Sequence, residues 1–492
     1  MKNILCENLR LSALCVFISG LAFAQEAPTE SDYYEITTFE SPEGSVVEVG
    51  AIDFMGGEKV IFTTRRGEIW TVDNAFSYPE KEAKWKLYAR YQHEPLGIAV
   101  KDDWVYITQR PDVTKMKDED GDGRADIFEI VAQPWGITGD YHEYAFGTRF
   151  DKDDNIWNVL CLTGSFTSNT KYRGWIIRVN ADGTVTPTVC GVRSPGGIGF
   201  GPGGEVFYTD NQGAWNGSSS LKHAKIGSFQ GNPNGNAWFQ KTDAIAEPPY
   251  PPTTEGSRTV IERENIPTYV PPAIMLPHGK VGQSPTGMIL DESGGKFGPF
   301  EGQLFVAEQT YSNIQRCFLE EVNGVYQGVV FPFLSGFKSG NIGINMKDGV
   351  VFTGGSNRGW GARGGQAFNF ERVNWTGKIP FEVHEMRAKP DGFELTFTQP
   401  VDKVTASAAE SYSMRAFTYI YQKGYGSPEV DEVKPSITVA SVSEDGKTVR
   451  LKVDSLTKGH VHELHLDGVK NEAGQQLLHP VGYYTLNEIP AK

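Results

Sequence analysis

Residues 197–210 read "GIGFGPGGEVFYTD": a glycine, a short alternating apolar run, a glycine-rich turn, and a second run that ends in Thr-Asp. Period-two alternation over runs this short, broken by a turn, is the pattern of an antiparallel hairpin. The same phrase recurs as "GAIDFMGGEKVIFTT" (50–64), "GIAVKDDWVYITQ" (97–109), "GTRFDKDDNIWNVL" (147–160), "GMILDESGGKFGPFEGQLFVAE" (287–308) and "GINMKDGVVFTGG" (343–355). A spacing of about fifty residues leaves room for a four-stranded sheet per copy, and the wider gap after Gly197 holds one long insertion, roughly residues 214–283, rich in Gly, Asn and Pro. The chain therefore reads as all-β, a six-bladed β-propeller over residues 25–378.

Beyond Gly377 the phrase stops. "FEVHEMRAKPDGFELTFTQPVD" (381–402), "YSMRAFTYIYQ" (412–422) and "KTVRLKVDSLTKGHVHELHLDG" (447–468) continue as alternating strands, which predicts a small Ig-like β-sandwich over 379–492. The tyrosines of 412–426 read first as packing against the propeller, with sugar stacking as the alternative. At the other end, Lys2 and Arg10 precede an apolar run from Leu11 to Ala24 that closes on Ala22-Phe23-Ala24, so residues 1–24 are expected to be a cleavable signal peptide and the protein periplasmic or secreted. That run is too short for a membrane span, and no later stretch is long and apolar enough to predict one. A net charge of −15 without basic clusters argues against nucleic-acid partners. Cys161, Cys190 and Cys317 follow the signal; a Cys161–Cys190 bridge is one reading, and buried thiols are the favoured one.

Propeller connectivity turns the repeat into positions. The segments just before each repeat glycine and just after each second strand meet at one mouth of the channel. The first set is His93-Glu94, His142-Glu143, Arg193-Ser194, Gln283-Ser284 and Lys338. The second is Arg65-Arg66, Gln109-Arg110, Asp210-Asn211-Gln212, Glu308-Gln309 and Asn357-Arg358. Polar groups converging on a shaped mouth make a ligand site. Histidine is the side chain that titrates nearest neutrality, so His142 is the expected general base, with Arg193 and Lys338 as cations for carboxylates or a developing oxyanion. Gln109, Arg110, Asn211, Gln309 and Arg358 complete the expected ligand-binding set.

A separate motif stands at 118–129, "DEDGDGRADIFE". Numbered as a Ca²⁺ loop it offers Asp118, Asp120 and Asp122 at positions one, three and five, the Arg124 carbonyl at seven, Asp126 at nine and Glu129 at twelve. Its flanks read as strands, the third and fourth of their sheet, which puts the metal at the outer rim of the face opposite His142 and predicts a structural role.

The phrases "ITQRPDVTKMKDEDGDGRADIFE", "VRSPGGIGFGPGGEVFYTDNQG", "HGKVGQSPTG" and "GGSNRGWGARGG" resemble exported bacterial propellers labelled membrane-bound dehydrogenases. These are similar in turn to the glucose/sorbosone dehydrogenases that use pyrroloquinoline quinone (PQQ). The resemblance implies a sugar or polyol dehydrogenase in which His142 takes the substrate hydroxyl proton while hydride passes to PQQ. It places Arg193 beside the quinone and Lys338 near its carboxylates; Ser194 stands where that family has asparagine. Lacking a CxxCH haem motif, the protein would need an external electron acceptor. The residues alone also accommodate a carbohydrate-active lyase or hydrolase, with His142 helped by Glu143, Asp210 or Glu308, and a non-catalytic glycan- or protein-binding module.

Overall fold

The computed structural model describes residues 27–78, 81–248, 256–359 and 361–491. The expected signal peptide lies outside them. Among the described residues the fold is overwhelmingly β and propeller-like.

Each repeat copy opens a four-stranded antiparallel group. The first comprises strands Val49–Phe54, Val60–Thr64, Ile69–Asp73 and Lys84–Ala89, paired in that order, and the groups that begin at Leu96, Ala145, Pro195 and Pro285 repeat it. The last group, Gly343–Lys347, Val350–Ser356 and Phe368–Trp375, takes its outermost strand from the other end of the chain: Tyr34–Thr38 pairs antiparallel with it, Tyr34 opposite Trp375 and Thr38 opposite Glu371. The first strands of successive groups touch in chain order, and the last returns to the first, closing a ring.

The repeat glycine exists for that ring. A Cβ on Gly97 would lie 2.4 Å from the Gly147 carbonyl oxygen, one on Gly197 2.8 Å from the Gly287 Cα, and one on Gly287 2.7 Å from the Ile342 oxygen. Inner strands thus approach backbone to backbone, which a side chain would prevent. The threonine that ends the second strand ties neighbours together: Thr63 Oγ1 donates to the Pro95 carbonyl (2.9 Å) and Thr209 Oγ1 to that of Thr286 (2.8 Å).

The stretch expected to be one loop, 214–283, contains two strands of the fourth group, Ser219–His223 and Pro272–Leu276. The insertion proper lies between them. "SSLKH" shows no apolar alternation because it buries polar side chains, two of which are hydrogen-bonded across the fold: Ser219 Oγ donates to the Gln283 carbonyl (2.9 Å), and Lys222 Nζ to Asp210 (2.9 Å) and the Gln230 carbonyl (3.0 Å).

After the ring come two further sheets. One orders strands Val383–Lys389, Gly392–Phe397, Thr448–Val453 and Ile437–Val442. The other, built from Ser413–Tyr421, His460–His465 and Val481–Leu486, does not stop at the sequence boundary: Val481–Leu486 pairs with Val325–Leu334 of the fifth group, Gly328 opposite Thr485. The core between the two sheets likewise draws Phe318, Val329 and Phe331 from the ring. Cys161, Cys190 and Cys317 are buried free thiols.

Candidate functional site

A cavity of about 360 Å³ opens on the face where the sequence places the converging loops. Arg65, His142, Arg193, Ser194, Asn211, Gln212, Gln283, Ser284, Gln309 and Arg358, all expected from loop position, line it. These residues come from loops of the first, third, fourth, fifth and sixth groups, while the second group reaches the cavity only through Leu96.

His142 is 2 % exposed. Its Nδ1 lies 3.0 Å from the Leu162 carbonyl, which can only accept, so Nδ1 carries the proton and Nε2 presents its lone pair. Two hydroxyls point at that lone pair, Ser165 at 2.8 Å and Ser194 at 3.1 Å. Burial, only partly offset by the Leu162 bond and reinforced by the Arg193 charge, pushes the imidazole pKa down to about 4, so the ring is neutral at ordinary pH. Asp140 Oδ1 holds the arrangement by accepting from the His142 (2.8 Å) and Gly164 (3.0 Å) amides, which brings the two loops together. Ser165 sits at φ 71°, a left-handed conformation that aims its hydroxyl at the imidazole.

Arg193 is 3 % exposed. One terminal nitrogen donates to the Gln212 carbonyl (2.7 Å), the guanidinium stands 5.1 Å from the Tyr425 ring centroid, and Nε has no hydrogen-bond partner. Gly213 makes room for it: a Cβ there would lie 2.2 Å from that nitrogen. Arg65 and Arg358 differ in being ion-paired, Arg65 to Glu94 (2.9 Å) and Arg358 to Glu48 (2.9 Å).

No carboxylate lines the cavity among the described residues. Asp210 is engaged by Lys222 and by the backbone amides of Arg193 and Ser194. Glu143 accepts from the Thr138 amide (2.6 Å) and Thr163 hydroxyl (2.7 Å). Glu308, whose pKa burial raises, accepts from the amides of Gln283, Ser284 and Tyr311. All three carboxylates fasten loops, so none is free to act beside His142 as a second acid or base.

Other expected residues sit elsewhere. Gln109 is buried, bridging the His93 amide (2.7 Å) and Asp112 (2.8 Å). Arg110 is held by Glu94 (2.7 Å) and by the carbonyls of Asp140 and Tyr141. Lys338 is exposed and outside the cavity wall. Conversely, Ser165, Tyr144, Phe166 and Tyr425 line the cavity without having been singled out by loop position; Tyr425 belongs to the tyrosine-rich stretch 412–426, for which sugar stacking is the alternative reading.

The acidic loop joins strands Val113–Lys117 and Ile127–Ala132, as its flanks predict, and so lies at the end of its sheet away from the cavity. Asp118, Asp120 and Asp126 each bring an oxygen within 4.8 Å of the others. Asp122 lies outside this group, and Glu129 pairs with Lys115 (3.0 Å) across the strands. The loop also ties the first group to the second, the Ala125 amide donating to the Tyr88 carbonyl (2.9 Å).

Residues 84–326 match a family described as a domain of unknown function (DUF7133). No curated protein matches the sequence. Among solved structures, a Thermus thermophilus protein described as an oxidoreductase (glucose dehydrogenase) is similar at TM-score 0.50 and 18 % identity, over 69 % of this chain and 99 % of that one. The PQQ-bound aldose sugar dehydrogenase of Streptomyces coelicolor follows at 0.48 and 15 %, over 71 % and 100 %. A Trichoderma reesei protein of Carbohydrate-Active Enzymes Family AA12 follows at 0.49 and 12 %, over 75 % and 100 %. At such identities the likeness is one of fold.

Proposed function

We propose that the chain is an exported oxidoreductase that takes hydride from the hydroxyl-bearing carbon of a sugar or polyol, built as a six-bladed propeller (25–378) with an Ig-like sandwich (379–492), and that its cofactor is PQQ. The observation that carries this reading is a neutral, buried imidazole whose lone pair faces hydroxyls, in a cavity lined by guanidinium groups and, among the described residues, by no carboxylate. A polycarboxylate fits such a wall: Arg193, with an unpartnered Nε, is the principal anchor, and Arg358, Asn211 and Gln309 are its neighbours in the same wall. When bound, PQQ supplies an ortho-quinone able to accept two electrons as hydride. His142 Nε2 takes the substrate hydroxyl proton; Ser165 and Ser194 occupy the place of that hydroxyl until substrate enters and then turn aside. Arg193, beside the imidazole, favours the alkoxide that forms. Gln109 and Arg110 act by fixing the loop around Glu94, and Lys338 acts at the outer edge of the same face. An external acceptor removes the electrons. In this reading Asp118, Asp120 and Asp126 hold Ca²⁺ as a structural ion.

Titrating the protein with PQQ in the presence of Ca²⁺, then assaying sugars with a dye acceptor, tests the proposal. We expect saturable binding that Arg193→Met weakens by at least tenfold, a loss of about 1.4 kcal/mol or more. His142→Ala should bind PQQ as before and turn over nothing. Absence of PQQ binding by the unaltered protein would overturn the cofactor assignment, and full turnover by the His142 variant would remove that residue from the mechanism.

A further inference from the structure

The cavity rim carries aromatic rings that hydride transfer does not require. Tyr141, Phe166 and Tyr425 line the cavity yet are 61 %, 50 % and 59 % exposed. Large open rings gathered at one mouth are costly to leave in water and mark a binding surface. Tyr425 comes from the C-terminal region of the chain, and its loop is docked by backbone bonds: the Trp215 amide donates to the Gln422 carbonyl (2.8 Å) and the Gly426 amide to that of Gly213 (3.1 Å). Its ring is fixed by the Arg193 guanidinium, and the Phe166 ring stands 6.1 Å away at 52°. By contrast Tyr412, Tyr419 and Tyr421 of the same stretch are buried. The tyrosine-rich segment therefore splits, three rings packing inward and one presented.

We infer that Phe166 and Tyr425 form a ring-stacking subsite for a pyranose unit next to the one that reacts, so that the substrate is an oligosaccharide and the C-terminal region of the chain helps select it. The inference rests on the reading of the cavity as a sugar site. A pyranose offers an apolar face of C–H groups and a polar edge of hydroxyls. The rim matches both, with aromatic faces beside the amides of Gln212 and Asn211 and the His278 imidazole. Depth supplies the length argument. The reacting hydroxyl must reach a ring nitrogen on a residue 2 % exposed, whereas the aromatic faces stand open to solvent; one sugar fills the interior and the next lies on the rim.

Calorimetric titration of the full chain with matched pairs, glucose and cellotetraose, xylose and xylotetraose, mannose and mannotetraose, separates the outcomes without depending on cofactor. At least one tetrasaccharide should bind about tenfold more tightly than its monosaccharide. Phe166→Ala should erase that advantage and leave the PQQ titration unchanged, and Tyr425→Phe should retain it. If no tetrasaccharide gains over its monosaccharide, or if the gain survives Phe166→Ala, the subsite is refuted. A retained tetrasaccharide advantage without PQQ binding would overturn the cofactor assignment and leave the subsite standing.

Discussion

Three largely buried histidines with very different partners dictate how the protein meets pH. Because burial holds His142 down to about 4, a reaction that uses it as base should keep its rate well below neutrality, the acid limb of kcat/KM falling near pH 4 instead of near 6.5; a limb at 6.5 would assign the base elsewhere. His462 is fully buried near Phe393, both ring nitrogens without partners, and burial pushes its pKa down to about 3. The folded state resists the proton that the unfolded state accepts, so this residue withdraws stability as pH falls from 6.5 toward 3. His462→Phe should raise stability by about 1 kcal/mol at pH 7 and by more in acid, measured by urea unfolding at both values. His479 has the opposite sign. Burial alone would lower its pKa, but Glu382 (2.6 Å) and Glu30 (3.1 Å) outweigh that and hold it up to about 9. Its contribution, on the order of 3 kcal/mol, is complete below pH 6.5 and is lost as pH rises through 9. His479→Gln should therefore destabilise strongly at pH 7 and little at pH 10, and equal losses at both would deny the ion pairs their role.

At the scale of elements, the repeat was legible because its glycine opens all six copies, and in several of them ring geometry leaves no room for a side chain there. Gly97→Ala, whose Cβ would meet the Gly147 oxygen at 2.4 Å, should cost about 3 kcal/mol or more, or prevent folding. Loop position also foretold most of the cavity wall, since antiparallel connectivity alone decides which loops share a face. What escaped the sequence were contacts fixed by a second backbone: Arg110 looks like a ligand residue until Glu94 takes its charge, and Ser165 looks like any loop serine until φ 71° turns it toward His142. The Ser219–His223 strand escaped because its burial is polar. The acidic loop was legible as a motif but not in full, for Lys115 draws Glu129 away. Bound Ca²⁺ at a hundred times its dissociation constant should add about 2.7 kcal/mol to stability, seen as a rise in Tm that EDTA reverses. Asp120→Asn should abolish the response; an undiminished rise would place the ion elsewhere.

For the whole molecule, the sheet that runs from the fifth group into Val481–Leu486 joins the ring to the C-terminal sheets through shared strand pairing and a shared core. Calorimetry of the full chain should give a single transition, and a chain ended at residue 378, with Phe318, Val329 and Phe331 uncovered, should aggregate; two separated transitions would contradict this. The ring closes through Tyr34–Thr38, and the Glu30 carboxylate just before that strand accepts from the Ser335 amide (2.7 Å). During synthesis this strand leaves the ribosome first among its sheet, and its partner, Phe368–Trp375, arrives last. At about 5–20 residues per second the early strand waits on the order of half a minute as an unpaired edge, an invitation to mispair with a neighbouring nascent chain. The pace of translation, and whatever shields that edge meanwhile, thus becomes a determinant of how this protein reaches its native state.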